Sequence, residues 1–152
     1  MSKRNQAPRR RVERVRSRLN STLAFTDKVL HTCEDSKTLV RMLIRLIVYT
    51  TGTVTAPASV VGHIGLAPGG NAVTSASTTE GLDEDVGINS LLLFPAVIQH
   101  DITNASGTIV TNVDIDTKLM RKLRAGDEIH LDMALGSGSG NVLGVIDMWF
   151  KE

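Results

Sequence analysis

Arginine is concentrated at the start of this chain, and its side-chain chemistry is suited to phosphate. Over residues 1–18 arginine outnumbers lysine seven to one. A guanidinium donates parallel hydrogen bonds to two phosphate oxygens at once, whereas an ammonium acts as a point charge. We therefore predict that this segment binds a polyanion by counterion release, with steep salt dependence and little base preference. The predicted nucleic-acid-binding residues are Lys3, Arg4, Arg9, Arg10, Arg11, Arg14, Arg16 and Arg18.

Other interpretations of the cationic segments stay open from sequence. A nuclear-localisation tract, a membrane-surface tract or a solubilising tail would share the composition of residues 1–18. A second basic cluster, Arg121-Lys122-Leu-Arg124, is either a solvated face, a subunit contact or a second polyanion contact.

Residue sets for catalysis are missing from the sequence. None of the four histidines, His31, His63, His100 and His130, lies in an HExxH motif or in a paired-ligand spacing. No serine lies in a GxSxG elbow, and Cys33 lies in a segment that looks like a connector, where a preorganised nucleophile is not expected. We predict that the chain is not an enzyme and has no small-molecule substrate.

Cofactor and metal motifs are also weak. The glycine-rich stretch 136–141 lacks the P-loop lysine and the GxGxxG spacing, so it is predicted to be a hairpin loop. Asp114 and Asp116, and the acidic run 80–85, could offer oxygens to calcium, but neither matches an EF-hand and solvated loops are predicted. A single cysteine excludes an intrachain disulfide and a cysteine-based zinc site. The prediction is no cofactor and no metal.

The charge of the chain is divided between its two parts. The first 28 residues carry nine Lys/Arg against two acids, a net +7, whereas the other 124 carry eight against fourteen, a net −6. We predict a disordered basic arm over residues 1–18, a connector over 19–36 and one folded body over 37–152. Val12, Val15 and Leu19 are separated by charges, so no secretion signal is expected. The longest apolar run, 42–49, is short and interrupted by Arg45, so no membrane partner is expected.

The body is predicted to be all-β. Along residues 37–49 the even positions from 38 to 48 are Thr, Val, Met, Ile, Leu and Val, which favours a strand with one apolar face. A helix capped by Ser36 is the alternative for this segment. Further strands are predicted at 58–66, 91–100, 108–115, 127–135 and 142–150, between stretches rich in Gly, Pro, Asn and Ser. Such repeated short strands are typical of a sandwich or a barrel.

Two connecting segments complete the organisation of the body. Residues 67–89 are small and acidic and are predicted to form one long surface loop. Residues 116–124 are predicted to be either a short helix, capped by Asp116 and ended by Gly126, or a turn between strands.

The layout of a basic arm, a connector and a β-rich body with 3% aromatic residues resembles the coat proteins of small non-enveloped viruses with single-stranded genomes. The segments KTLVR at 37–41 and IDTKLMRKLRAGDE at 115–128 look like segments that recur in the short jelly-roll members of this family.

The resemblance implies a single jelly-roll β-sandwich, with antiparallel strands in Greek-key order, that self-assembles into an icosahedral shell. In the virion, the arm residues 3–18 would face inward and bind the viral genome, single-stranded DNA or RNA. Eight strands are expected and six are evident, so we place the other two in 50–57 and 67–90.

Two other classes of protein stay open. A tailed-phage head or tail accessory protein would use the arm to dock onto other virion subunits. A non-viral nucleic-acid-binding protein with a small β-barrel would normally keep a basic body, whereas this body is acidic.

Overall fold

Eight strands make up almost all of the part of the chain that the computed structural model describes, which is residues 11–23, 25–50, 58–70, 91–102, 110–135 and 139–152. A single 3₁₀ turn, Pro68–Gly70, follows the fourth strand. The strands are β1 Val12–Leu23, β2 Phe25–Thr32, β3 Lys37–Thr50, β4 Ala58–Ala67, β5 Leu91–Ile102, β6 Val110–Leu123, β7 Glu128–Leu135 and β8 Gly140–Lys151.

The strands form two four-stranded antiparallel sheets. Sheet A has the order β1-β8-β3-β6, and sheet B has the order β2-β7-β4-β5. Every pairing in both sheets is antiparallel. The prediction of an all-β fold with two antiparallel sheets is confirmed.

One hydrophobic core draws side chains from both sheets. Sheet A contributes alternate residues of β1, β3 and β8, and sheet B contributes residues of β2, β4 and β7. Because one face of each strand is buried, the buried residues recur at every second position, as in Ile44, Leu46 and Val48. Phe150 is the one large aromatic side chain among the fully buried residues of the described segments, so aliphatic packing dominates.

Strand β3 confirms the predicted strand over 37–49, but the alternation of its buried positions changes phase. Leu39 and Met42 are both fully buried although they are three residues apart. The register of β3 against both β6 and β8 shifts between Leu39 and Arg41, as expected for a bulge. The predicted inward positions are therefore correct from Met42 onward, whereas Thr38 and Val40 are only half-buried.

The predicted arm and connector boundaries are wrong in the described segments. Residues 12–18, assigned to a disordered arm, form the first half of β1, and the connector 19–36 contains the rest of β1 and all of β2. Strand β1 pairs with β8 over its whole length, from Val12 opposite Lys151 to Leu23 opposite Gly140. The segment is too polar to fold alone; β8 supplies its backbone hydrogen bonds, and Leu19 and Leu23 pack into the core shared by both sheets. Among the described residues, strand structure thus begins at Val12.

The helix considered over 116–124 is also wrong. Residues 116–123 continue β6, in which exposed Asp116, Lys118 and Met120 alternate with half-buried Thr117 and Leu119. The chain then turns at residues 125–126, where Gly126 has φ +88°. The pairing with β3 extends to the end of the strand and overrides the local helical signal.

Strands β1 and β2 were not predicted, and they bring the number of described strands to eight. The two strands predicted in 50–57 and 67–90 fall mostly on residues outside the described part of the chain. The same holds for the predicted 67–89 loop beyond Gly70 and for residues 136–138 of the predicted glycine-rich hairpin. Within the described part of the chain there is no helix that could cross a membrane.

Candidate nucleic-acid interface

Strand β1 positions three of the predicted phosphate-binding residues on one surface. Its odd positions face the core, since Leu19 and Leu23 are buried, so its even positions point away from it. Arg14, Arg16 and Arg18 are accordingly exposed on the outer face of sheet A, the face turned away from the core. Arg11 is exposed just before the strand, whereas Lys3, Arg4, Arg9 and Arg10 lie outside the described residues.

Two of these arginines share one carboxylate. Asp147 on β8 lies directly opposite Arg16, and its side chain is only 2% exposed. Arg16 donates from Nε to Oδ1 at 2.8 Å and from a terminal nitrogen to Oδ2 at 3.1 Å, while Arg14 donates to Oδ2 at 2.9 Å. The hydrogen bonds from Arg16 are the main cause that lowers the pKa of Asp147 to about 2. The trio keeps a net positive charge because two guanidiniums face one carboxylate.

Trp149 lies between two guanidiniums on the same face. The central guanidinium carbon of Arg14 is 5.5 Å from the centroid of the indole ring, and that of Arg41 on β3 is 4.5 Å away. Both distances are suited to cation–π attraction. Arg41 also makes a two-pronged ion pair with Asp116 on β6, at 2.9 and 2.8 Å. The four strands of sheet A are thus joined by side chains as well as by backbone.

The register groups these residues into three rows across sheet A. The rows are Arg14–Trp149–Arg41–Lys118, Arg16–Asp147–Leu43–Asp116 and Arg18–Val145–Arg45–Asp114. They contain six cations against three carboxylates. Arg45 is 4.0 Å from Asp114, and neither Arg18 nor Lys118 makes an ion pair with any described residue. This part of the outer face can therefore attract an anion although the body as a whole is acidic.

Sequence reasoning missed the contributions of β3, β6 and β8 to this face. From sequence, no functional role is predicted for Arg41, Arg45, Lys118 or Trp149. The four-residue spacing of Arg41 and Arg45 along β3 was a usable signal for a shared face, because side chains an even number of residues apart lie on the same side of a strand. Their meeting with Arg14 and Arg18 depends on β8 lying between β1 and β3, which no local pattern encodes.

The histidines weighed for catalysis have structural surroundings where they are described. The ring of His31 is 4.8 Å from that of Phe150, and burial lowers its pKa. Buried His130 contacts Glu128 through Nε2 at 2.6 Å. The side chains of His63 and His100 lie outside the described residues. Among the described residues no group of three or more His, Cys, Asp and Glu could hold a metal ion.

Cys33 is expected to react slowly with thiol reagents. It is 2% exposed, and burial raises the pKa of its thiol to about 11. At pH 8 only about one thiol in a thousand would then be the reactive thiolate. Labelling with a chromogenic disulfide should be slow in the native protein and rapid in guanidinium chloride; equally rapid labelling in both would contradict this burial.

Replacing Asp147 by asparagine is expected to lower the free energy of unfolding at pH 7 by about 2 kcal/mol, because charge-assisted hydrogen bonds to two arginines are lost. The folded-state pKa of Asp147, about 2, lies below its ordinary value of 3.8. Its ionised form therefore stabilises the fold above pH 4, and this contribution disappears as the pH falls from about 4 to 2.

Denaturant unfolding at pH 7, 4 and 2 would measure the effect. The difference between wild type and Asp147→Asn should shrink toward zero at pH 2. A difference that is constant with pH would mean that the ionised carboxylate is not what stabilises β1. Asp114→Asn is a control, because the Asp114 side chain is 75% exposed and its ion pair with Arg45 is long, at 4.0 Å.

Comparisons with known proteins identify no family for this chain. No protein-family model matches it. A search of curated proteins also finds no match. What the protein does must therefore be inferred from its own charges and strand order.

Proposed function

We propose that this protein is a viral coat protein, a single jelly-roll sandwich that self-assembles into an icosahedral shell and packages a single-stranded genome. The strand pairing supports the jelly roll. Strand β1 pairs with β8, β2 with β7, β3 with β6 and β4 with β5, as in one long antiparallel ribbon. Rolling that ribbon over itself brings β8 beside β3 and β7 beside β4, which are the two additional pairings.

Segregation of charge is the observation that carries the proposal. The first 28 residues have a net charge of +7, and the following 124 residues have a net charge of −6. The basic segment leads directly into β1, whose arginines lie on the basic part of the outer face of sheet A. In a closed shell, a basic inner side would bind the genome and an acidic remainder would repel other nucleic acid.

Packing many basic segments into one shell is unfavourable without a polyanion. About 60 copies would bring on the order of 400 positive charges, and about 180 copies roughly 1,300, if each cation neutralises one phosphate. The genome and the shell would therefore stabilise each other. The resemblance of segments 37–41 and 115–128 to coat-protein segments agrees with this reading.

Exposed apolar side chains at one end of sheet A support self-association. Ile47 and Leu143 lie opposite each other on β3 and β8, and are 45% and 37% exposed. On β6, Asn112 lies opposite Ile47, and Val110, two residues earlier, is 64% exposed. Neighbouring exposed apolar side chains are suited to a contact between subunits.

Electron microscopy of the purified recombinant protein tests the proposal. Uniform closed particles that contain nucleic acid are expected. A protein that stays monomeric both with and without added single-stranded nucleic acid would rule out the coat function. Particles that form only with another virion protein would instead favour an accessory role.

A further inference from the structure

The second basic cluster, Arg121-Lys122-Leu-Arg124, lies at the same end of sheet A as the first residue of β1. The register forms one row across the sheet, in which Val12 is opposite Lys151, Lys151 is opposite Thr38, and Thr38 is opposite Lys122. Neighbouring strands are about 4.8 Å apart, so Lys122 lies roughly 14 Å from Val12. A polyanion bound by the residues before β1 therefore passes close to this cluster.

A cavity of about 390 Å³ opens between the start of β3 and the end of β6. Its lining contains three cations and two hydroxyl groups, together with one apolar side chain. The lining residues are Ser36, Lys37, Thr38, Lys122, Leu123 and Arg124. Ammonium, guanidinium and hydroxyl donors are the groups that bind phosphate oxygens in proteins.

The cations of this cavity differ in how far their charge is already neutralised. Lys37 donates to Glu13 at 2.6 Å and contacts Asp35 at 3.3 Å, so its charge is matched within the protein. The side chains of Lys122 and Arg124 are exposed and make no ion pair with any described residue. The nearby Asp127 carboxylate accepts from the backbone N–H of Arg124 at 2.7 Å and from that of Gly69 at 3.1 Å. Lys122 and Arg124 therefore remain at the opening without a counter-charge from any described residue.

We propose that this cavity binds a phosphate group of single-stranded nucleic acid, and that Lys122 and Arg124 supply the charge while Ser36 and Thr38 supply hydroxyl donors. The inference rests on the proposed function, because it extends the genome contact from the N-terminal segment onto the folded body. A contact with an acidic surface of a second copy is the competing account. Nucleic acid is favoured because the cavity shares a row with the start of β1 and with Lys151.

The test is a comparison of two full-length double variants that lose the same two positive charges. Lys122→Gln/Arg124→Gln removes the two cations of the cavity that no described carboxylate neutralises. Lys28→Gln/Arg121→Gln is the matched control, because neither residue lines the cavity or belongs to the three rows of cations on sheet A. Fluorescence anisotropy with a labelled 20-nucleotide oligothymidylate, from about 50 to 400 mM salt, gives affinity and its salt dependence.

The cavity variant should bind roughly tenfold more weakly near 150 mM salt, since one charge-assisted phosphate contact is lost. Its slope of log K against log salt should become shallower by about 0.7, the value for one phosphate of a single strand. The control variant should keep a slope and affinity closer to wild type. Thermal unfolding of both variants checks that they are folded.

Four results would overturn the proposal, and each has a separate meaning. An unchanged slope in the cavity variant, with wild type still binding, would exclude the cavity while leaving the proposed function intact. If the cavity variant keeps the wild-type slope of log K against log salt but forms no closed particles in electron microscopy, the cluster is a contact between subunits. An equal loss of affinity in both variants would mean that binding depends on the overall positive charge of the protein and not on the cavity. If wild type itself does not bind the oligonucleotide, the coat function fails together with this inference.

Discussion

Replacing Gly144 by alanine is expected to destabilise the protein by roughly 3–5 kcal/mol, the sum of an overpacking cost and a backbone cost. Gly144 lies in the middle of β8, opposite Leu19 of β1 and Leu46 of β3. A Cβ atom there would lie 2.1 Å from the carbonyl oxygen of Arg45 and 2.8 Å from the Cα of Leu46. The φ angle of +151° adds strain for any side chain. Because both clashes are with backbone, β3 itself would have to move.

Thermal unfolding measures this prediction, and the midpoint should fall by roughly 10 °C or more. Gly126→Ala is the matched control, because Gly126 has a positive φ of +88° but a Cβ there meets nothing within 4 Å. Gly126→Ala should lower the free energy of unfolding by only about 1 kcal/mol, because backbone strain is its one cost. Equal costs for the two substitutions would show that contact with β3 is not what requires glycine at position 144.

Deleting residues 2–10 is expected to remove most nucleic-acid binding while leaving the fold intact. The deletion removes Lys3, Arg4, Arg9 and Arg10 and keeps every residue of β1. Four phosphate contacts to a single strand correspond to a loss of nearly three in the slope of log K against log salt. The amount of nucleic acid that copurifies at low salt, measured by absorbance, should fall steeply. Copurification equal to that of the full-length protein would place the packaging cations elsewhere.

The endpoint of the deletion matters because β1 begins at Val12. Removing residues 2–18 would also take away seven of the twelve residues of β1 and would uncover the carboxylate of Asp147. We expect that longer deletion to unfold sheet A, so its loss of binding would say nothing about the basic segment. A full-length variant with Lys3, Arg4, Arg9 and Arg10 replaced by glutamine separates charge from chain length. It should bind as weakly as the shorter deletion.

The strands of the body could be predicted because each has a local signature. Strands β3 to β8 combine apolar or alternating runs with glycine, proline or asparagine at their ends, and six of the six predicted segments coincide with strands. Strand β1 was missed for a physical reason. Val15, Leu19 and Leu23 recur every four residues, a spacing that fits one face of a helix. The same spacing fits every second inward position of a strand, with Ser17 and Ser21 at the inward positions between them.

The charges of β1 also concealed its structure. Arginines at alternate positions look like a disordered segment when the chain is considered alone, since nothing local offsets them. Their partner, Asp147, is more than 130 residues away and is the one acidic residue of β8. The chemistry of the candidate site was thus predictable from residue type, whereas the division between paired and unpaired cations depends on which strands are neighbours.

The pairing of Val12 with Lys151 has a practical consequence for the two ends of the folded chain. Because β1 and β8 are adjacent and antiparallel, a peptide joined after Glu152 leaves the sheet beside the segment that enters at Val12. In a shell, such a fusion would emerge on the side where the basic segments meet the genome. A fluorescent protein or an enzyme attached there would be enclosed as cargo, whereas display on the surface would require insertion into a loop on the opposite side.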